Sequence, residues 1–226
     1  PYLTVGIPVY NDPAGLRRTI PSVLGQTWQG PMRVLVVDDG STDETGEVLE
    51  SLAKTYGRID VIRHSENLGR PYARNTVLDH AGDGYLAWCD SGDLWHPRKV
   101  ELQLATLREA EDVAPDTPLL CTSPLRWVFL DRDDARLRVP DVGGDQLYNA
   151  LTGTLYPYLQ GILGRAEHFR RIGGFDDRLL RRQDYDFLVR FLAAGGRMVS
   201  TTGNVGLFTY LKSDVGTPAP VVATAN

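Results

Sequence analysis

The chain repeats one unit: a short apolar run rich in β-branched residues, a turn-forming loop, and a stretch whose apolar residues recur at helical spacing. Leu3–Val9, Arg33–Val37, Ile59–Arg63 and Tyr85–Cys89 read as strands. Gly15–Thr27, Thr45–Tyr56, Pro71–Ala81 and Pro97–Glu109 read as helices. Pro21 has no N–H to give and is expected to kink or divide the first helix. Repeated strand–helix alternation implies a mainly parallel sheet with right-handed crossovers, flanked by helices. Ligands of such sheets collect beyond the carboxyl ends of the strands. Asp38 and Asp39 follow one strand, and Asp90 and Asp93 follow another, so two acidic loops are expected on one rim.

Composition narrows what those acids can serve. In 226 residues, 42% are apolar and 23% charged, enough for a core without disulfide or metal staples. One α/β domain is expected over residues 1–212, with a nucleotide-side half to about residue 97 and an acceptor-side half from 98, and a linker-like tail over 213–226. A net charge of -5 argues against a nucleic-acid partner, because neutralising phosphates needs a basic stripe. Cys89 and Cys121 lie in apolar runs and read as buried, reduced thiols, which favours a cytoplasmic placement. No stretch approaches the roughly 20 apolar residues of a membrane helix, so membrane association would be peripheral, at the inner face. The missing initial Met suggests a piece of a longer protein.

Beyond residue 110 the regular alternation fades. Short strands are expected at Leu119–Thr122 and Trp127–Leu130, and residues 131–142, crowded with charge, read as an exposed excursion. A strand at Leu159–Leu163 and a short helix at Ala166–Ile172 come next. A helix from Asp184, closed by Gly195-Gly196, then leads to strands at Met198–Thr201 and Val205–Tyr210.

Five motifs, in order, are Ile7-Pro8-Val9-Tyr10-Asn11, Val36-Val37-Asp38-Asp39-Gly40-Ser41-Thr42-Asp43, Asn67-Leu68-Gly69 with Ala73-Arg74-Asn75, Asp90-Ser91-Gly92-Asp93-Leu94-Trp95-His96-Pro97, and Gly173-Gly174-Phe175-Asp176 with Asp184-Tyr185-Asp186. Together they resemble the family 2 glycosyltransferases, whose fold is GT-A. The resemblance implies transfer of a single sugar from a nucleoside-diphosphate sugar to an acceptor hydroxyl, in an inverting, Mg2+- or Mn2+-assisted reaction. The acceptor would be a carbohydrate, a lipid-linked sugar or a small molecule, in polysaccharide, glycolipid or glycoconjugate synthesis.

Residue by residue, the resemblance implies that Pro8 and Tyr10 border the nucleobase, that Asp39 reads it, and that Asp38 orients the loop. Arg70 and Arg74 can offer guanidinium groups to diphosphate or ribose oxygens, although solvated surface arginines read equally well. Asn75 reads as a structural hydrogen-bonder. Asp90 and Ser91 would touch the donor. Asp90 and Asp93 would hold the cation that bridges carboxylate to phosphate, since hard cations take oxygen ligands. Gly92 stands where the family usually has a further carboxylate, and an acid-rich turn ahead of a helix is the plainer alternative. Asp184 matches the general base that takes the proton of the attacking hydroxyl, while Asp186 is expected to pair with Arg190.

Trp95, Gln160 and Gly161, with Tyr148, Tyr156 and Tyr158, can shape an acceptor groove. The four histidines are scattered without ligand spacing. The late His of many relatives is absent, with Lys212 or Asp214 in its neighbourhood and neither equivalent to it. The Gln-x-x-Arg-Trp motif of processive polymerases is also missing. Gly92 and the absent late His motivate one rival reading, a non-catalytic nucleotide-sugar-binding module of the same fold.

Overall fold

The computed structural model describes residues 2–129, 134–156, 158–179 and 181–212. The proposed tail, residues 213–226 with Asp214, and the side chain of Lys212 lie outside the described residues. The first half runs β1 (Leu3–Val9), α1 (Pro13–Leu24), β2 (Met32–Asp38), α2 (Thr45–Tyr56), β3 (Ile59–Arg63), α3 (Arg70–His80) and β4 (Tyr85–Trp88). Strands β3, β2, β1 and β4 lie side by side and parallel, as strand–helix alternation requires. After them come β5 (Leu94–Trp95), α4 (Lys99–Val113), β6 (Leu119–Thr122), β7 (Leu125–Phe129), β8 (Asp134–Arg138) and α5 (Gln146–Leu151). A 3-10 turn at Leu159–Gly161, β9 (Leu163–Arg165), α6 (Ala166–Arg171), α7 (Gln183–Ala193), β10 (Arg197–Ser200) and β11 (Phe208–Lys212) complete the body.

The main sheet has seven strands in the order β10-β6-β9-β4-β1-β2-β3, with β9 antiparallel to both neighbours. Its inner strands β1, β2, β4 and β6 are buried on both faces, whereas the edge strand β3 is largely exposed. Val34 and Val36 of β2 face a core shared with Leu16 and Ile20 of α1 and Val100 and Leu104 of α4. Leu35 and Val37 face a second core with Val77 of α3 and Phe187 of α7. Gly6 makes one of these contacts possible: a Cβ there would stand 2.4 Å from Val77 Cγ1, so only glycine lets α3 lie this close to β1.

Several expectations need correction. Pro21 sits inside α1 without dividing it, because only the last turn of the helix follows and buried Ile20 and Val23 anchor that turn to the core. Residues 159–163 are not one strand but a 3-10 turn followed by β9. The last strand is β11 at Phe208–Lys212, not Val205–Tyr210. The strand expected to begin at Trp127 begins at Leu125, and Leu130 is outside the described residues. Within the charged excursion lies β8, which pairs on one side with β7 and exposes most of its residues, so no alternation marks it. With β5, β11 and β7 it forms a four-stranded sheet that the sequence reading did not foresee. Helix α5 was likewise unforeseen.

Candidate active site

Strands β1 and β2 end together, tied by Asp39 N–H donating to the Val9 carbonyl at 2.8 Å. Asp38, fully buried, accepts from the Ser41 amide at 3.0 Å and so shapes the loop. Asp39 is 3% exposed. Its Oδ1 lies 2.7 Å from His64 Nδ1 and accepts the Leu68 amide at 3.0 Å, and its Oδ2 accepts the Gly69 amide at 2.8 Å. His64 Nε2 is in turn 2.9 Å from Thr76 Oγ1. An ionised carboxylate offers about four acceptor positions. Three are filled, which leaves Asp39 rigid with capacity for one more donor. It borders a cavity of about 370 Å3 whose rim includes Pro8, Tyr10 and Asp12 on one side and Arg70, Asp90 and Ser91 on the other.

The second acidic loop is built differently. Thr19 of α1 clamps it, its Oγ1 accepting from the Gly92 amide at 2.9 Å and donating to the Asp93 carbonyl at 2.8 Å. Asp90 Oδ1 is 3.3 Å from Arg74 Nη2, and Gln160 Nε2 donates to Asp90 Oδ2 at 2.5 Å. Burial resists ionisation of Asp90, but the charges of Arg74 and Arg70 and hydrogen bonds from Arg74 and Gln160 outweigh it and hold the carboxyl below its usual range. Arg74 is itself buried, 5.4 Å from the Phe175 ring, and burial lowers its pKa although Asp90 opposes that. The solvated reading of Arg74 is thereby overturned.

Asp93 is 3% exposed, and burial together with the charge of Asp90 pushes its carboxyl up to about 9. Its Oδ2 has no hydrogen-bond partner among the described residues. A buried carboxylate oxygen with nothing to accept from costs free energy unless protonated or met by a cation. Among the described residues no three His, Cys, Asp or Glu side chains converge as metal ligands. Asp90 and Asp93 therefore fit only part of a hard-cation site, one that phosphate oxygens would have to complete. At Gly92 a Cβ would meet only Asp12 Oδ2, at 3.8 Å, yet the backbone there has φ +94°. Backbone conformation, not space, disfavours a carboxylate-bearing residue at this point.

Asp184 is the second residue of α7 and half-buried, not its N-cap; that position belongs to Arg182, held at φ 60°. A cavity of about 530 Å3 joins Asp184 to Arg74, Asp93, Gln160 and Tyr158. It shares Arg70, Asp90 and Ser91 with the cavity at Asp39, so the two form one cleft along the sheet's rim. Asp186 does not enter it. Arg190 pairs with Asp186 at 2.7 Å and also caps the Ile172 and Gly174 carbonyls at 2.6 and 2.8 Å.

The cleft thus gathers Pro8, Tyr10, Asp39, Arg70, Arg74, Asp90, Ser91, Asp93, Gln160 and Asp184. Trp95 and Gly161 are not among its walls. Trp95 is buried on β5 with Lys99 Nζ 4.0 Å from its ring centroid, and it opens onto a different cavity beside Arg126 and Val205. Gly161 packs under Phe208, and its carbonyl accepts from Gln103 Nε2 at 2.7 Å. Tyr148 is exposed on α5, away from both cavities. Asn75 is structural, its side chain donating to the Phe175 carbonyl at 2.8 Å and accepting the Phe175 amide at 2.9 Å.

Sequence reasoning missed Asp12, His64, Asn67, Arg181, Arg182, Trp127 and Tyr210. Asp12 was read only as turn chemistry. His64 directly follows a strand on the same rim as Asp38, and that position was the signal available.

Residues 4–162 match the family model described as Glycosyl transferase family 2. A Rickettsia felis protein named an uncharacterized glycosyltransferase is 32% identical over 200 residues, spanning 85% of this chain and 31% of that protein. A Bacillus subtilis protein named a putative teichuronic acid biosynthesis glycosyltransferase, TuaG, is 38% identical over 112 residues, spanning 48% of this chain and 43% of its own length. The chain therefore spans less than half the length of these relatives. Among solved structures, S. aureus TarS 1-349 in complex with UDP aligns at a TM-score of 0.74 with 19% identity, covering 94% of this chain and 61% of that one. The mannosyltransferase PcManGT from Pyrobaculum calidifontis, in complex with GDP-Man and Mn2+, aligns at 0.66 with 20% identity, covering 93% and 56%. Five ordered motifs, the sheet order and the shared cleft agree with these matches: the chain belongs to glycosyl transferase family 2 and has the GT-A fold.

Proposed function

We propose that this chain transfers a single sugar, with inversion, from a nucleoside-diphosphate sugar to an acceptor hydroxyl. The observation that carries the reading is the continuity of the cleft: the cavity beside Asp39 and the cavity beside Asp184 share Arg70, Asp90 and Ser91. A donor laid along it would put its base against Asp39 and Tyr10, its diphosphate at Arg70 and its sugar before Asp184. Relatives with related architecture have been captured with UDP and with GDP-Man, ligands of this chemical class.

Asp39 accepts the base N–H with the capacity its three donors leave open. Arg70 and Arg74 place positive charge beside the diphosphate, where charge accumulates as the glycosidic bond breaks. Gln160 and Arg74 fix Asp90, so its carboxylate keeps one orientation. Asp184 takes the proton of the acceptor hydroxyl as that oxygen attacks the anomeric carbon on the face opposite the diphosphate. Asp90 and Asp93 would hold a divalent cation with the donor's phosphate oxygens as its other ligands. Such a cation, when bound, neutralises charge on the departing diphosphate.

Incubation with UDP-, GDP- and dTDP-sugars, followed by assay of released nucleoside diphosphate with and without EDTA, tests the proposal. Turnover of one donor class that EDTA abolishes is the expected result. Tight donor binding without turnover, across many acceptors, would instead favour the binding-module alternative, and no interaction with any donor would refute both.

A further inference from the structure

A smaller cavity of about 180 Å3 lies next to the cleft, lined by Leu125, Phe208, Tyr156, Tyr158 and Arg138 among others. Tyr158 lines both this cavity and the one that contains Asp184, so the two adjoin at its ring. The aromatic surface is continuous. Tyr156 stacks on Tyr185, the neighbour of Asp184, at 5.8 Å between centroids, meets Tyr158 edge-on at 5.4 Å, and Tyr158 meets Trp127 at 5.9 Å.

Ser123 also lines this cavity. It is 1% exposed, and its Oγ has no hydrogen-bond partner among the described residues. A hydroxyl so buried is normally satisfied. Here it shares the lining of one cavity with Tyr156 and Tyr158. Asp141 also lines the cavity. Arg138, its guanidinium 5.3 Å from the Trp127 ring, and Asp141 give the lining one charge of each sign, so the cavity suits a neutral ligand better than an anion.

Aromatic faces beside a few fixed polar groups suit a pyranose, which presents C–H faces to rings and hydroxyls to its rim. Resting on the transfer reading above, we propose that this cavity is an acceptor subsite for the neutral sugar ring next to the one that carries the attacking hydroxyl. The acceptor is then a saccharide of at least two rings. The first ring lies against Tyr158 and Trp127 before Asp184, and the second occupies the cavity at Ser123.

The probes are methyl glycosides of glucose, galactose and N-acetylglucosamine and the methyl disaccharides built from them, with binding followed by saturation-transfer NMR on the wild type and on Ser123→Val and Tyr156→Ala. Affinity for a nucleoside diphosphate, measured on the same samples, reports that each variant is folded. At least one disaccharide should bind about tenfold or more tightly than its monosaccharide, and both variants should bring that ratio to about one. No preference in the wild type, or a preference unchanged in both variants, overturns the subsite. Donor turnover without a disaccharide preference would overturn this subsite alone. A disaccharide preference lost in the variants, without donor turnover, would uphold a saccharide cavity and overturn the transfer reading.

Discussion

The two acidic loops stand at equivalent places, each where a parallel strand ends, and they solve opposite problems. Each hydrogen-bond partner of Asp39 is a donor: the imidazole of His64 and the amides of Leu68 and Gly69. Around Asp93 there is a second carboxylate and a buried oxygen with no partner among the described residues. Asp39 is held by three donors with room for one more and is suited to reading a neutral hydrogen-bonding edge. Asp38 beside it, whose Oδ2 accepts no hydrogen bond among the described residues, has Arg63 Nε at 3.4 Å to balance its charge. The second loop holds a carboxyl that burial and Asp90 keep protonated, and a cation shared with a diphosphate would take the place of that proton. Acid clusters that look alike in sequence are thus distinguished by what the fold supplies around them.

Asp184 belongs to neither loop and sets the scale against which both are measured. Asp184→Asn should reduce kcat about 10^2- to 10^4-fold while leaving donor affinity nearly unchanged, which steady-state kinetics will separate. Next in size, Asp39→Ala strips the acceptor from three donors at once. It should raise the donor KM by about tenfold or more and destabilise the fold by about 2 to 3 kcal/mol, read by urea denaturation. If Asp39→Ala leaves both unchanged, the contrast between the satisfied carboxylate of Asp39 and the unsatisfied carboxyl of Asp93 is false.

Gly92→Asp sharpens the contrast by adding a carboxylate beside the buried Asp93 carboxyl. Its left-handed backbone should cost about 1 to 3 kcal/mol of stability, and the loss should shrink when Mn2+ is added with a nucleoside diphosphate. The smallest effect concerns Lys99, buried near the same loop between Cys89 and Cys121, whose ammonium burial lowers to about 7 from 10.5. Between pH 7 and 9 the unfolded chain keeps that proton and the folded chain does not, so this group makes stability rise with pH. In the wild type relative to Lys99→Met, stability should therefore climb by about 1 kcal/mol per pH unit over that window. Parallel pH profiles for the two proteins would contradict the burial of an ionisable lysine there.

The parallel half was legible because strands buried on both faces read as unbroken apolar runs, as in Leu3–Val9 and Val34–Val37. The second sheet was not, since β5 has two residues and β8 is an exposed edge, neither long enough nor regular enough to carry a period. Acids at strand ends were equally readable, and Asp39, Asp90 and Asp184 meet in one cleft. Side-chain partners were not. Nothing in the order of residues shows that Arg74 is buried against Asp90, or that His64 reaches Asp39. Trp95 misled because proximity in sequence to Asp93 says nothing of the face: β5 turns its indole into the core, beside Lys99. Gly161 misled similarly, as neighbour of Gln160, when its absent side chain is what admits Phe208.

Calorimetric titration of the tightest-binding diphosphate among UDP, GDP and dTDP, with and without Mn2+, into the wild type, Asp39→Asn and Asp93→Asn reaches the division of labour between the loops most directly. Mn2+ should tighten the wild-type complex about tenfold or more, Asp93→Asn should abolish that gain, and Asp39→Asn should weaken binding by the same factor in both conditions. An affinity indifferent to Mn2+ in the wild type, or an Asp39→Asn protein that binds as tightly as the wild type, would contradict it.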